Sequence, residues 1–258
     1  MKNIFKYIEQ IRSGNSQSAK PEFQEFLFIS AFPKSGSSFI SLVISDVLNL
    51  PIQDIVYSHL SEQDLYLPLI EQYNDRKYLS KHHTLATLPN IKILQDYGIR
   101  PVILTRKLPD VIISLRDHIS KTLIWPHFFV PNDFANWDET QQFNFLIDLA
   151  VPWYLFFFTS WKKIKEENSL QLMFVEYENF HKDKSETIQN ILNFMGYDIS
   201  LKDIIESMGK VTSLPSKQNR LNKAEINRGK KQLNDNQLSK IVEMTKNYPQ
   251  VDFSPILY

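Results

Sequence analysis

The chain of 258 residues contains no cysteine. That excludes disulfides, thiolate metal ligands and a cysteine nucleophile, and it fits a reducing compartment. Glycine is scarce as well, at 6 residues, so a glycine between two apolar runs stands out. Net charge is absent: 29 basic side chains balance 29 acidic ones. Nothing therefore pulls the whole molecule toward nucleic acid or an anionic membrane surface, and an anionic ligand must be held by a local group of cations. No run of apolar residues is long enough to suggest a membrane span. The first 18 residues alternate Lys, Glu and Arg with apolar positions and lack the continuous apolar stretch of a signal peptide. The expectation is a soluble cytoplasmic protein. Also missing is the pattern G-x-x-x-x-G-K-[ST], which argues against an ordinary ATPase or GTPase.

What is present is an apolar fraction of 43% with 13% aromatics, enough for the core of one α/β domain. Phe26 to Ile29 reads as a buried strand. Pro33 to Ser38 is a short loop of small residues, and Phe39, Ile40, Val43, Ile44 and Val47 then fall at helical spacing. Strand, small-residue loop and helix form an anion cradle. Backbone N–H groups at the helix start point inward, the helix dipole adds partial positive charge, and Lys34 adds a full one beside Gly36. A pyrophosphate-like or sulfate-like group suits this loop.

Residues 77–84 read as a second strand that runs into a loop carrying His82 and His83. Loops at the C-terminal edge of a parallel sheet carry chemistry, and a neutral imidazole can take a proton from a weakly acidic hydroxyl or amine. A zinc site is not expected: no third ligand lies at helpful spacing, and neighbouring strand residues point in opposite directions. Residues 101–105 form a third strand ending at Arg106. Pro109 and Asp110 open a helix continued by Val111, Ile112 and Leu115. Arg106 and Ser114, eight residues apart, can converge on one phosphate.

Elsewhere, residues 1–12 suggest a short amphipathic helix joined by a polar linker to the first strand, and 52–75 suggest loop and short helix. Residues 118–140 show no periodicity and carry five aromatic side chains, which reads as a lid or acceptor-pocket insertion, or else as a satellite hydrophobic cluster. Lined by aromatics and carboxylates, such a pocket suits an acceptor with an apolar or cationic part. Thr140 to Glu167 is strongly apolar and helical, with Pro152 capping or kinking it. Leu170 to Val175 reads as a fourth strand, and Lys184 to Met195 as a helix closed by Gly196. Asn234, with Gln237 three residues on, suits the cap of the last helix. Strands alternating with helices imply a parallel sheet in one domain.

Several of these stretches together resemble the sulfotransferases that use 3′-phosphoadenosine 5′-phosphosulfate (PAPS). Pro33-Lys34-Ser35-Gly36-Ser37-Ser38-Phe39 resembles their 5′-phosphosulfate loop, with Phe39 where the family carries a tryptophan that stacks on adenine. Lys81-His82-His83 is similar to the family's Lys-Thr-His signature. The resemblance makes Lys81 the contact to the transferring sulfonate and His83 the base, with His82 in the threonine position. Arg106 to Ser114 resembles the 3′-phosphate motif Arg-x-P-x-D-x-x-x-S, although the proline lies one residue later here. Tyr177-Glu178-Asn179 with Asn193-Phe194-Met195-Gly196 is similar to the family's Y-E-D … F-L-G segment and implies that Tyr177 packs against adenine. Thr212-Ser213-Leu214 looks like the T-S-F adenine contact, with Leu214 in the aromatic position. Arg228-Gly229-Lys230 resembles the basic loop over the 3′-phosphate, without the G-D-W that follows it in the family.

The fold so implied is a P-loop-like, three-layer α/β domain around a central parallel sheet. The implied reaction moves a sulfonate from PAPS to a hydroxyl or amine of a small-molecule acceptor, releasing adenosine 3′,5′-bisphosphate, with no metal and no nucleic-acid partner. A homodimer is compatible with the sequence. Two other readings stay open at this point: a kinase-like phosphotransferase with an altered P-loop, and a non-catalytic nucleotide-binding protein on the same fold.

Overall fold

Every residue of the first strand, β1 (Phe26–Ala31), is buried, because its two faces feed two separate cores. Side chains alternate across a strand. Phe26 and Phe28 therefore join the larger core on one side of the sheet, while Leu27, Ile29 and Ala31 join the smaller core on the other. A strand buried on both faces needs helices above and below it, which is the three-layer arrangement. The computed structural model describes residues 26–215 and 225–257. The helix expected over residues 1–12 and the linker after it lie outside the described residues.

The sheet contains β1, β2 (Tyr78–His82), β3 (Val102–Thr105) and β4 (Met173–Glu176), in the order β2-β1-β3-β4. All neighbours are parallel. Ser30 lies opposite His82 on one side of β1, and Ala31 lies opposite Leu104 on the other. The chain leaves β1 toward β2 and later returns to β1's other flank with β3. The direction of winding thus switches beside β1, which opens a crevice at the carboxyl ends of β1 and β3.

Helices α1 (Ser37–Leu48), α2 (Leu67–Gln72), α3 (Leu88–Asp96), α4 (Leu108–Thr122) and α5 (Glu139–Glu166) follow in the first part of the chain. After β4 come α6 (Tyr177–Lys182), α7 (Lys184–Phe194), α8 (Leu201–Ser213), α9 (Arg228–Gln232), α10 (Asp235–Thr245) and α11 (Ser254–Leu257). The smaller core gathers side chains of α1, α6, α7 and α8; the larger one takes those of α3, α4 and α5. Helix α5 is long and apolar enough to cross a membrane by composition. Here it is the spine of the larger core, with Phe143, Leu146, Tyr154, Phe157, Phe158 and Trp161 all buried. Burying a side chain of that size contributes about 1.5–3 kcal/mol.

Several expectations are refined. Helix α5 continues through Pro152, which stands on an exposed face. Residues 118–122 are the last turn of α4, so the irregular stretch begins at Leu123, whose φ of 52° ends that helix. Phe134 in the following 3₁₀ turn is fully buried against Trp137 and Phe145, whereas Ile124 and Phe129 stay exposed. The stretch is thus partly core and partly surface. Helices α3, α6 and α8 were not anticipated, and Arg228–Gln232, expected as a basic loop, forms the short helix α9. Asn234 does accept from the Gln237 backbone in a full capping box, but α10, the helix it caps, is followed by the short α11.

Candidate functional site

Three loops meet at the crevice. The first is the turn from β1 into α1, where Lys34 (φ 70°) and Gly36 (φ 80°) are both left-handed around Ser35. Left-handed residues alternating with ordinary ones fold backbone N–H groups into a concave nest for anions. The carbonyls of this turn are turned into the protein. Ser35 Oγ donates to the Phe32 carbonyl at 2.7 Å, Tyr154 Oη to that of Pro33 at 3.3 Å, and Arg106 Nη1 to that of Lys34 at 3.0 Å. The Ser35 N–H is also taken internally, by the Phe32 carbonyl at 3.2 Å, so an anion would meet the N–H groups that follow it at the start of α1. Gly36 is required twice over, since its φ disfavours a side chain and a Cβ would approach the Tyr177 ring to 2.9 Å. It is also the N-cap of α1. Side chains of Asp138, Asp183, Ser200 and Asn234 cap α5, α7, α8 and α10, but none caps α1.

The second loop follows β3. Arg106 is buried, with its guanidinium 4.2 Å above the Tyr177 ring. It donates to the carbonyls of Lys34 and, at 2.9 Å, Glu225, while its Nε is shielded from solvent without a hydrogen-bond partner. An orphaned guanidinium donor beside an anion nest is what a phosphate group would satisfy. Asp110, one turn on, accepts from the backbone N–H groups of Asn227 and Gly229, both at 2.7 Å. A Cβ at Gly229 would strike Pro109 at 2.3 Å, so only glycine allows this approach. Asp110 is therefore the anchor that brings the basic C-terminal segment to α4, a role not foreseen from its sequence position. Ser114 is buried one turn beyond Asp110 on the same helix. Arg228 is buried too and donates to Asp117 at 2.9 Å, which gives it a protein partner, while Lys230 is exposed on α9.

The third loop follows β2. His83 Nδ1 lies 2.7 Å from the Ala31 carbonyl. A carbonyl only accepts, so Nδ1 carries the proton and Nε2 holds the lone pair. Gln63 Oε1 fixes the backbone by accepting from His83 N–H at 2.9 Å. Burial, then the nearby Lys81 charge, lowers the pKa of His83 to about 3, so the ring is neutral at pH 7. His82 is fully buried and differently engaged, its Nε2 facing the Ile55 N–H at 3.2 Å and Ser80 Oγ at 2.9 Å. Folding also brings Asp54 and His59 to His82, with ligating atoms within 4.8 Å of one another, a juxtaposition that sequence spacing did not reveal. Ile55 and Ser80 contact His82 Nε2 and Asp54 pairs with His59 at 3.2 Å, while His82 Nδ1 is shielded from solvent without a hydrogen-bond partner.

The remaining candidates are dispersed around this centre. Ser37 and Phe39 are buried in the first turn of α1, with Ser38 half-buried between them, and Phe39 packs on Phe180. Tyr177 sits between Gly36 and Arg106, directly against the loop. Thr212 and Leu214 end α8, where the Thr212 hydroxyl donates to the Met208 carbonyl. Leu214 helps line an open groove of about 580 Å³ with Leu42, Ser45 and Asn49; its walls include none of the loop, Arg106 or His83. Sequence reasoning gave no site role to Glu62, Gln63 and His127, from stretches without periodicity, or to Trp153, read as a core aromatic of α5; Gln63 bonds His83, and Glu62 joins His127 and Trp153.

His82 and His83 are held near pKa 3 and His127 near 4, in each case chiefly by burial, against 6.5 when exposed. Between those values the unfolded chain binds protons that the folded one refuses, so stability falls as pH drops below about 6.5. Each histidine contributes a slope of up to about 1.4 kcal/mol per pH unit. Urea midpoints are expected to decline steadily from pH 7 to pH 4.5; a flat profile would contradict the neutral histidines.

A family model described as a sulfotransferase domain matches residues 24–250. No curated protein matches the chain in sequence. Among solved structures, mouse sulfotransferase SULT7A1 complexed with PAP superposes with a TM-score of 0.65 at 15% identity, over 90% of this chain and 86% of the other. Retinol dehydratase with androsterone and inactive cofactor PAP gives 0.60 at 14% identity, over 95% and 87% of the two chains. The same enzyme with retinol and PAP gives 0.59 at 15%, with the same coverage. At such identities the structural likeness speaks for the fold.

Proposed function

The chain belongs to the sulfotransferase domain family, and we propose that it transfers a sulfonate group from PAPS to a hydroxyl or amine of a small-molecule acceptor, releasing adenosine 3′,5′-bisphosphate. The observation that carries this reading is the Arg106 guanidinium. It bonds the carbonyl of the β1–α1 loop and that of Glu225 while keeping a buried donor unpaired, so two phosphate motifs distant in sequence share one point.

The residues divide the work as follows. The nest at Lys34–Ser38 holds the 5′-phosphosulfate end through backbone N–H groups, and Lys34 stabilises charge that develops on the leaving phosphate oxygen. Arg106 and Ser114 hold the 3′-phosphate with the exposed Lys230 as a further cation, while Arg228 and Gly229, engaged by Asp117 and Asp110, anchor that segment to α4. Tyr177, against Gly36 and Arg106, packs on the base, whereas Phe39 is buried on Phe180 and Thr212 and Leu214 stand at the end of α8 beside a separate groove. PAPS supplies the activated sulfonate. His83 Nε2 takes the proton of the attacking hydroxyl or amine as the new bond to sulfur forms and the bond to the bridging oxygen breaks. Lys81 offsets charge on the sulfonate oxygens. As in phosphoryl transfer, positioning and electrostatics dominate. A cytoplasmic location belongs to the same proposal and is supported by the cysteine-free composition.

Calorimetric titration without metal tests the donor. Adenosine 3′,5′-bisphosphate is expected to bind at least about tenfold more tightly than ADP, the worth of one charge-assisted phosphate contact. Equal affinities, or a strict need for Mg²⁺, would point back to a phosphotransferase.

A further inference from the structure

Resting on the sulfonate-transfer reading, we propose that Glu62 binds a protonated amine on the acceptor, so that the acceptors of this enzyme are hydroxyl compounds bearing an ammonium group beside an apolar body. The loop before α2 and the loop after α4 meet at this carboxylate. Glu62 Oε2 accepts from Trp153 Nε1 at 3.0 Å and lies 3.5 Å from His127 Nδ1. The His127 ring stacks on Trp153, with centroids 4.7 Å apart and planes inclined by 22°. The next residue, Gln63, holds the His83 backbone, and His127 is near enough to the proposed base to contribute to lowering its pKa, so this group borders the site.

The charge at this point is unbalanced. Glu62 Oε1 is shielded from solvent and has no partner. Trp153 is a neutral donor. His127 is neutral as well, since burial lowers its pKa to about 4. Asp64 adds a second negative charge nearby, and burial raises the pKa of Glu62. An ammonium group supplies what is missing on both counts, a donor for Oε1 and a compensating charge. The two loops also leave Leu60, Ile124 and Phe129 exposed at 73%, 60% and 80%. These stand within three residues of Glu62 or His127 in sequence, on the same two loops.

The test uses tyramine and 4-ethylphenol, which share a ring and a hydroxyl and differ in the ammonium group. Both are titrated into the full chain, with and without saturating adenosine 3′,5′-bisphosphate, in the wild type and in Glu62→Gln. The glutamine keeps an oxygen for Trp153, so the two loops remain joined. The wild type is expected to bind tyramine at least about tenfold more tightly than 4-ethylphenol, as one charge-assisted hydrogen bond provides. Glu62→Gln should abolish that preference while changing 4-ethylphenol binding less than about twofold. Equal binding of the pair by the wild type, failure to bind tyramine at millimolar concentration, or a preference that survives Glu62→Gln would overturn the proposal and leave Glu62 as a strut between loops. The wild-type comparison stands even if the variant does not fold. Should the bisphosphate itself not bind, the donor reading has failed; tyramine selectivity without nucleotide, lost in Glu62→Gln, would still uphold the amine site.

Discussion

Replacing His83 by alanine is expected to lower kcat by about a hundredfold to ten-thousandfold, the usual worth of a positioned general base. Affinity for adenosine 3′,5′-bisphosphate should stay within about twofold, because none of the groups assigned to the nucleotide rests on the imidazole. The orientation of the ring underlies this expectation. The Ala31 carbonyl holds the proton on Nδ1, so Nε2 is the atom that can accept one. A base whose pKa lies near 3 is always unprotonated at neutral pH but weak. The phosphates and sulfonate of the donor are negative, and their approach raises that pKa toward a more effective value. The acid limb of the kcat/KM profile, which reports the free enzyme, should therefore fall well below the usual histidine value of 6.5. His82→Gln is the control. That ring is fully buried and its Nε2 faces Ile55 and Ser80, so the change should cost stability, about 1–3 kcal/mol, with kcat nearly unchanged. The reverse outcome would make His82 the base.

Much of this site was legible because it depends on local order. Phe26–Ile29, the loop to Ser38 and the helical spacing from Phe39 form one continuous strand–turn–helix, whose meaning survives without tertiary information. Arg106, Pro109, Asp110 and Ser114 are likewise consecutive on one strand end and helix. What was not legible are the contacts joining segments far apart. Nothing near Asp110 in sequence announces that it will bind the backbone of Asn227 and Gly229, because the partner's signal is only a glycine. Helix α8 was missed since Val211–Leu214 was read for its motif rather than for the helix it ends. The Glu62–His127–Trp153 group escaped for a different reason: two of its members stand in stretches with no periodicity, and the third looks like an ordinary core aromatic on α5. Burial selects a charged residue such as Glu62 only after the loops have folded.

Arg106→Ala is the second variant with a large expected effect, and it separates binding from scaffolding. The guanidinium spans two loops through the carbonyls of Lys34 and Glu225, so its removal should destabilise the fold by about 3 kcal/mol. Loosening alone would weaken every nucleotide in parallel. The proposed role predicts something narrower: bisphosphate affinity should fall on the order of a hundredfold, the worth of a lost pair of charge-assisted contacts, while ADP, which has no 3′-phosphate, changes far less. The ratio between the two ligands should thus approach one. Arg106→Lys is the necessary companion. A lysine keeps the charge over Tyr177 but presents a point rather than a planar fork, and it can no longer reach two carbonyls and a phosphate at once. It should recover part of the stability and little of the discrimination. If instead bisphosphate and ADP weaken equally in both variants, Arg106 is only a brace between loops, and the 3′-phosphate must be held by Ser114 and Lys230 without it.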